Sequence, residues 1–314
     1  MKEVRRVSNT RRTMIDVRYE RIALATGVTL NVALAGREDA PPIILLHGFP
    51  ESHRTWRNQV ADLARDYRVI APDQRGFAGS DRPEGMENYA TDRIVADVAA
   101  LADALDIAHF TLAGHDWGGA VAWTAALSHP LRVKRLIIVN APHPLVFQKS
   151  LIDDAAQREA SQYITWLRSP LAEAGITAMG LESFLEKVLL SHADPTKLTL
   201  EERQAYLDQW KQPGVITSML NWYRGSKLVV PKPGEEAGAP LWTHAPFPAL
   251  RMPTLVVWGL KDPALLPIQL EGLADLVKDL RLVTSPTAGH FITWEEPGTV
   301  TGAIREFLAD TADA

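Results

Sequence analysis

Short apolar runs alternate with amphipathic stretches along most of this chain, and that alternation limits the possible folds more than any other feature. The amphipathic stretches are typical of helices and cover roughly residues 53–65, 91–106 and 118–129. The apolar runs are typical of strands buried on both faces and lie at Ile43–Leu46, Arg68–Ala71, His109–Leu112, Arg135–Asn140, Thr254–Trp258 and Leu280–Thr284. Strands and helices in alternation predict an α/β fold with a mostly parallel central sheet, flanked by helices and joined by right-handed crossovers.

Two segments depart from the alternation. Residues 21–35 alternate polar and apolar side chains and break at Gly27, which predicts an antiparallel hairpin. From about residue 144 to residue 247 the chain looks helical and is rich in Trp and Tyr. We expect a helical lid domain (residues 145–245) inserted into a core domain formed by residues 1–144 and 246–314. Ligands in open α/β sheets bind at the carboxyl ends of the strands, so the lid should close a mostly apolar pocket there.

Composition excludes several classes of partner and chemistry. The chain has no cysteine, so disulfides, thiolate zinc sites and a cysteine nucleophile are excluded together. A net charge of -5 gives no reason to expect nucleic acid or an anionic membrane as a partner. No apolar run approaches the roughly 18 residues of a membrane span, and the basic N-terminus lacks the apolar core of a secretory signal. We therefore expect a cytoplasmic enzyme whose N-terminus is solvated and partly frayed rather than a targeting tail.

The residues from Leu112 to Gly119, LAGHDWGG, carry the sharpest chemical signal. They follow a predicted strand and precede a predicted helix, which is the context of a G-x-S-x-G nucleophile elbow. The middle residue here is Asp116 instead of serine. On its own, an aspartate at this place could simply cap the following helix. As a nucleophile, however, a carboxylate needs no general base, and it is suited to attack saturated carbon, leaving an alkyl ester that must then be hydrolysed.

Three further segments could supply the groups that hydrolysis of such an ester needs. The turn after the first parallel strand, HGFP, should provide the backbone N–H of Phe49 to an oxyanion hole, and Trp117 the second N–H. His290 follows the last strand and is the expected general base. Asp262 lies just beyond another strand and is the expected acid that orients His290, although it could also be a turn residue ahead of Pro263.

Several of these motifs together resemble one known family. The stretches HGFP, DQRGFAGSDRP, GHDWGG, NAPHP, WGLKDPALLP and AGHF are similar to those of the epoxide hydrolase branch of the α/β-hydrolase fold family. The resemblance runs from about residue 20 to the C-terminus and implies a catalytic triad of Asp116, Asp262 and His290. His115 and His47 are then packing and hydrogen-bonding groups around the elbow and the oxyanion turn.

The same resemblance implies a pair of lid tyrosines that hydrogen-bond the epoxide oxygen and protonate it as the ring opens. The family motif N-W-Y stands here as Asn221-Trp222-Tyr223, and the segment SQYITW, ahead of Pro170, supplies Tyr163 as the second acid. Tyr206 is the alternative for that second position. Three neighbouring residues are predicted to contact the substrate, namely His47, Pro50 and Trp222.

The expected activity is hydrolysis of a small hydrophobic epoxide by water, with no cofactor and no metal, since no Walker loop, dinucleotide fingerprint or HExxH motif occurs. A haloalkane dehalogenase would use the same nucleophile, but related dehalogenases often carry an Asn side-chain donor where this chain has Phe49. A non-catalytic ligand-binding protein on the same fold is a further alternative, although no member of the implied triad is missing. The surface of the lid is compatible with either a monomer or a homodimer.

Overall fold

The computed structural model describes residues 4–6, 16–244 and 247–312, and all strands of this part belong to one sheet. In chain order the strands are β1 (Val4–Arg6), β2 (Asp16–Ala23), β3 (Thr29–Ala35), β4 (Pro42–Leu46), β5 (Arg68–Pro72), β6 (Phe110–His115), β7 (Val133–Val139), β8 (Thr254–Gly259) and β9 (Leu280–Ser285). Their order across the sheet is β1-β2-β3-β5-β4-β6-β7-β8-β9. From β5 to β9 all neighbouring strands are parallel, which confirms the predicted α/β fold.

The predicted hairpin is confirmed as β2 and β3, which pair antiparallel around a turn at Gly27. Each predicted apolar run lies on a parallel strand. Alternate residues of β4 enter opposite cores, Ile43 and Leu45 on one face of the sheet and Ile44 and Leu46 on the other. Two apolar cores therefore sandwich the strands, which is why apolar residues dominate the runs.

Helices cover both faces of the sheet. The helices outside the segment between β7 and β8 are α1 (Arg57–Leu63), α2 (Thr91–Ala104), α3 (Trp117–Ser128), α11 (Leu273–Leu276), α12 (Ile292–Glu295) and α13 (Pro297–Asp310). Short 3-10 turns accompany them at His53–Trp56, Met86–Tyr89 and Pro267–Leu270. Helices α1 and α13 pack on one face, and α2 and α3 on the other. The three amphipathic stretches predicted to be helical are confirmed. They correspond to α1 together with the 3-10 turn before it, to α2 and to α3.

Residues 144–244 form a helical insert between β7 and β8. Its helices are α4 (Pro144–Asp153), α5 (Ala155–Ala160), α6 (Gln162–Arg168), α7 (Ala172–Met179), α8 (Leu181–Val188), α9 (Leu200–Trp210) and α10 (Val215–Arg224), with 3-10 turns at Leu190–His192, Pro195–Lys197 and Leu241–His244. The division into a core and a lid domain stays a proposal, and its second boundary, between residues 245 and 246, lies outside the described residues. So does most of the N-terminus predicted to be frayed.

Polar contacts fasten the insert to the loops at the carboxyl ends of the strands. The Tyr206 hydroxyl of α9 donates to Glu51 at 2.6 Å, and the Trp210 indole donates to the carbonyl of Pro50 at 2.9 Å. Arg54 binds Glu202 of α9 through two hydrogen bonds of 2.8 and 2.7 Å. These contacts place α9 above the turn that follows β4. Within the described ranges, no helix is long and apolar enough to cross a membrane.

Candidate active site

Asp116 lies on a sharp turn between β6 and α3, with φ 52° and ψ -125°. This backbone conformation is costly for a residue with a side chain and persists only where the surrounding structure enforces it. Two glycines allow the neighbouring backbone to pack closely enough to hold this conformation. A Cβ at Gly114 would collide with the carbonyl of Gly118, and one at Gly118 would collide with the carbonyls of Leu46 and His47. The turn therefore packs tightly against β4 and holds Asp116 at the carboxyl edge of the sheet.

The Asp116 carboxylate makes no capping hydrogen bond to α3. The backbone N–H of Phe49 donates to its Oδ1 at 2.7 Å, and the adjacent backbone N–H of Trp117 also helps to lower its pKa. These are the two N–H groups predicted to form the oxyanion hole, and the structure brings both to Asp116. Burial raises the pKa of Asp116, but the hydrogen bond and positive charge of His290 outweigh it, so the pKa lies below its usual value.

His290 bridges Asp116 and Asp262. Its Nδ1 lies 2.6 Å from Oδ2 of Asp262, and its Nε2 lies 3.5 Å from Oδ2 of Asp116. Burial lowers the pKa of His290, but the two carboxylates outweigh burial and hold that pKa well above its usual value. With Nδ1 bound to Asp262, Nε2 is the nitrogen turned toward Asp116.

Asp262 is held by groups from three different loops or strands. Its Oδ1 accepts from the backbone N–H of Ala264 and of Leu265, each at 2.9 Å. Its Oδ2 accepts from the side-chain amide of Asn140 at 2.8 Å as well as from His290. Burial raises the pKa of Asp262, whereas the charge of His290 and these hydrogen bonds lower it below the usual value. Asp262 is therefore a fixed anion beside the imidazole.

Asn140 has a role at this site that the sequence did not reveal. It stands at the end of β7 with a positive φ of 38°. Its amide N–H donates to Asp262, and its amide oxygen accepts from the N–H of Gly259 at 2.8 Å. One feature of the sequence could have indicated this role. Asn140 begins the NAPHP stretch at the end of a predicted strand, and that strand ends at the same edge of the sheet as Asp116. Asn140 thus orients the acid that orients His290.

His115 and His47 surround the site as neutral hydrogen-bonding groups, as predicted. The Nε2 of His115 donates to the carbonyl of His290 at 2.9 Å, and the Nε2 of His47 accepts from the N–H of Gln74 at 2.9 Å. Burial lowers the pKa of each histidine to about 4. Neither ring titrates near neutral pH, so each holds a fixed tautomer beside the elbow.

Tyr163 of α6 and Tyr223 of α10 share the cavities into which Asp116 opens. Their ring centroids are 6.2 Å apart, and Tyr223 packs edge to face on Phe49 and on Trp117. Burial, and then the negative charge of Asp116 among other groups, raises the pKa of both phenols well above the usual value. Both therefore remain protonated donors. Tyr206, the alternative to Tyr163, is fully buried and its hydroxyl donates to Glu51.

Two chambers meet at Asp116, Tyr163 and Tyr223. The larger has a volume of about 170 Å³ and carries the apolar side chains Phe147, Ile164, Leu228, Trp242 and Leu265. The smaller has a volume of about 90 Å³ and is lined by Trp166, Leu167, Val188, His192, His290 and Phe291, among others. Most of the wall is apolar, so the Asp116 carboxylate lies in surroundings that suit a hydrophobic ligand.

Three residues predicted to contact the substrate lie outside the walls of these two chambers. His47 is fully buried at the start of the turn that follows β4. Trp222 is buried, with its indole N–H bound to the carbonyl of Arg75 at 3.0 Å, and the carbonyl of Pro50 accepts from Trp210. Trp222 turns away because it precedes Tyr223 on the same helix, and successive helical side chains point in different directions. These residues support the site instead of contacting the cavity.

A wider surface cleft, of about 500 Å³, lies elsewhere, between Met86 and Arg224. Its charged groups are all engaged: Arg224 binds Glu173 at 2.6 Å, and Arg168 donates to the carbonyls of Tyr223 and Leu228. Over the described ranges of the chain, no cluster of His, Cys, Asp or Glu side chains is arranged to hold a metal ion.

This chain is similar to several known proteins over most of its length. Residues 41–297 match the family described as alpha/beta hydrolase fold. The AB hydrolase superfamily protein YfhM of Bacillus subtilis (strain 168) is 37% identical over 90% of this chain and 95% of its own length. A solved structure described under novel epoxide hydrolases from metagenomes of hot environments is 44% identical, with a TM-score of 0.87 over 92% of this chain and 98% of that chain.

A second solved structure is similar at lower identity. It is a variant of an epoxide hydrolase from Bacillus megaterium in complex with its product, a naphthyloxy-propane-diol. It is 29% identical, with a TM-score of 0.80 over 92% of this chain and 100% of that chain. The similarity thus extends through both the sheet and the helical insert.

Proposed function

This chain belongs to the epoxide hydrolase branch of the α/β-hydrolase fold family, and from that premise we propose that it converts epoxides to vicinal diols through an ester formed on Asp116. One observation carries the proposal. A carboxylate with a lowered pKa opens into two apolar chambers that also hold two protonated phenols and an imidazole. That set of groups supplies a nucleophile, two acids and a base.

The first half-reaction forms the ester. An oxygen of Asp116 attacks one epoxide carbon, and the bond between that carbon and the epoxide oxygen breaks. Tyr163 and Tyr223 hydrogen-bond the departing oxygen and supply the proton that turns it into a hydroxyl. Without a donor, an alkoxide would form in an apolar chamber, where an unpaired charge is costly. The raised pKa of both phenols supports this role, because it keeps them protonated until charge develops on the epoxide oxygen.

The second half-reaction releases the diol. His290, oriented by Asp262, takes a proton from water, and the water oxygen attacks the ester carbonyl of Asp116. The N–H groups of Phe49 and Trp117 stabilise the oxyanion, and the hydrogen bond of Phe49 to the free carboxylate supports this role. The intermediate collapses as the bond between the carbonyl carbon and the ester oxygen breaks. The released alkoxide takes the proton from His290, and the proton left on the Asp116 carboxyl restores the phenol that donated in the first half-reaction. Alkylation removes the negative charge of Asp116, one of the two charges that raise the pKa of His290. That pKa then falls, so the imidazole becomes a base at the step that needs one.

The walls of the chambers support a hydrophobic substrate covered by the helical insert, which we propose to be a lid domain. Phe147 and Trp242 can pack on an aryl or alkyl group in the larger chamber. The Bacillus megaterium relative was crystallised with a diol that carries an aromatic ether. We therefore propose aryl glycidyl ethers as the first substrates to test.

The test of the proposed function is product formation from matched epoxides and haloalkanes, with Asp116→Ala as the blank. We expect diol from the epoxides and no halide release from the haloalkanes, because Phe49 offers no side-chain donor to a leaving halide. Halide release without diol would transfer the assignment to a haloalkane dehalogenase. Diol formation at an equal rate by the Asp116→Ala variant would show that Asp116 is not the nucleophile.

The pH dependence of the two half-reactions should differ on the acid side. Ester hydrolysis needs neutral His290, so its rate should fall as the pH drops toward about 5, below the usual histidine pKa of about 6.5. Ester formation needs only ionised Asp116, whose pKa lies below its usual value, so its rate should persist at that pH. The ester should therefore accumulate in the unmodified enzyme at low pH. Rapid acid quench followed by mass spectrometry measures it, and equal loss of both rates would contradict this division of roles.

A further inference from the structure

We propose that Glu295 is a positioning residue for His290, because it fastens the loop that carries the histidine to the helical insert. The inference rests on the proposed function, since it assigns Glu295 to the step that uses His290. Glu295 is the last residue of α12 and is 6% exposed. Its Oε2 accepts two backbone N–H groups, from Gly289 at 3.2 Å and from Asp194 of the insert at 3.0 Å.

A third hydrogen bond joins the same two segments. The backbone N–H of His290 donates to the carbonyl of His192, in the insert, at 3.0 Å. The approach is close, since a Cβ at Gly289 would meet the carbonyl oxygen of His192. Residues 192–194 and 289–290 therefore form one joint, and the carboxylate of Glu295 accepts an N–H from each side of it.

The joint fixes the backbone from which the imidazole projects. The N–H of His290 is bound by His192, and its carbonyl is bound by His115 at 2.9 Å. Without the carboxylate of Glu295, the N–H groups of Gly289, which is buried, and of Asp194 would lose their acceptor at once, which favours separation of the two segments. The loop would then shift relative to Asp116, and a displacement of about 1 Å in a catalytic group can cost on the order of 10²-fold in rate.

The predicted signature separates positioning from a general structural role. His290 acts as the base only in the second half-reaction, so a shifted His290 slows ester hydrolysis and spares ester formation. A residue needed only for folding would lower the fraction of active enzyme and leave both rate constants unchanged. Single-turnover mixing with a glycidyl ether gives both rate constants, and the amplitude of ester formation gives the active fraction.

The first comparison uses variants of Glu295. Glu295→Ala should slow ester hydrolysis about tenfold while ester formation changes by less than about twofold. Glu295→Gln keeps a carbonyl oxygen for the two N–H groups and should recover most of the hydrolysis rate. Glu296→Ala is the matched control, because that neighbouring carboxylate binds the hydroxyls of Ser285 and Thr287 instead. It should leave both rate constants unchanged.

The second comparison removes the donor and leaves Glu295 intact. Asp194 has a φ of -68°, which proline also adopts, so Asp194→Pro deletes the N–H that donates to Glu295 without changing the required backbone angle. Ala193, at φ -150° and ψ 171°, already has a conformation that a following proline allows. Asp194→Ala is the control, since it removes the same side chain but keeps the N–H.

We expect Asp194→Pro to slow ester hydrolysis several-fold relative to Asp194→Ala, with equal rates of ester formation. Unchanged hydrolysis in both Asp194→Pro and Glu295→Ala, with ester still formed, would overturn this inference alone. Equal slowing of both half-reactions would also overturn it, as would a lower active fraction with both rate constants unchanged. Absence of any ester in the unmodified enzyme would overturn the proposed function and this inference together.

Discussion

Replacing His290 with glutamine should leave the enzyme trapped as an ester after one epoxide has reacted. Ester hydrolysis should slow by about 10³-fold, since a positioned general base contributes on the order of 10²–10⁴-fold. Ester formation should continue, because the glutamine amide can replace the hydrogen bond of His290 to Asp116 and the N–H of Phe49 still donates to that carboxylate. Mass spectrometry of the intact protein should then show an increase equal to the mass of the epoxide, and peptide mapping should locate it on Asp116.

The control for this variant is His109→Gln, because His109 is exposed at the opposite edge of the sheet, just before β6. That protein should turn over at the normal rate and should not accumulate ester. A His290→Gln enzyme that forms no ester would show that His290 is also needed for the first half-reaction. A variant that still hydrolyses the ester at the normal rate would require a different base.

Replacing both Tyr163 and Tyr223 with phenylalanine should slow ester formation by about 10³-fold, since general acid catalysis contributes on the order of 10²–10⁴-fold. Each single substitution should cost less, because the remaining phenol still donates to the epoxide oxygen. Substrate binding should weaken little in all three variants, since the rings that pack on the substrate remain. Single-turnover rates at several substrate concentrations separate the two effects.

Tyr206→Phe is the matched control for the tyrosine pair. Its hydroxyl is buried against Glu51, and the residue does not line the chambers at Asp116. The substitution should lower the free energy of unfolding by about 1 kcal/mol, the usual contribution of one hydrogen bond, and should leave ester formation unchanged. If Tyr206→Phe slowed ester formation more than Tyr163→Phe, the assignment of the second acid would pass to Tyr206.

The sequence predicted the parts of the fold and site that depend on local pattern. Strands between two apolar cores need continuous apolar runs, so their positions could be predicted from hydrophobicity alone. The elbow at Asp116 is encoded within a few residues by glycines that allow a tight turn. His290 and Asp262 could be expected near Asp116 because each follows a parallel strand, and parallel strands end at one edge of the sheet.

Contacts between distant segments could not be predicted in the same way. Asn140 reaches Asp262 across 122 positions of the chain, and Glu295 reaches Asp194 across 101. The choice between Tyr163 and Tyr206 depends on which face of each helix of the insert turns toward the cavity, and helix packing decides that. The same limit explains why Trp222 was expected in the pocket although its side chain points into the core.

The central claim is that Asp116 becomes covalently bound to the substrate, and a single turnover in water labelled with heavy oxygen tests it most directly. With enzyme in excess over the epoxide, the oxygen added to form the diol should come from Asp116 and carry no label, while the carboxylate of Asp116 gains one labelled oxygen. Label should enter the diol only in later turnovers. Full labelling of the diol in the first turnover, with Asp116 unlabelled, would mean that water attacks the epoxide directly and would contradict the ester mechanism.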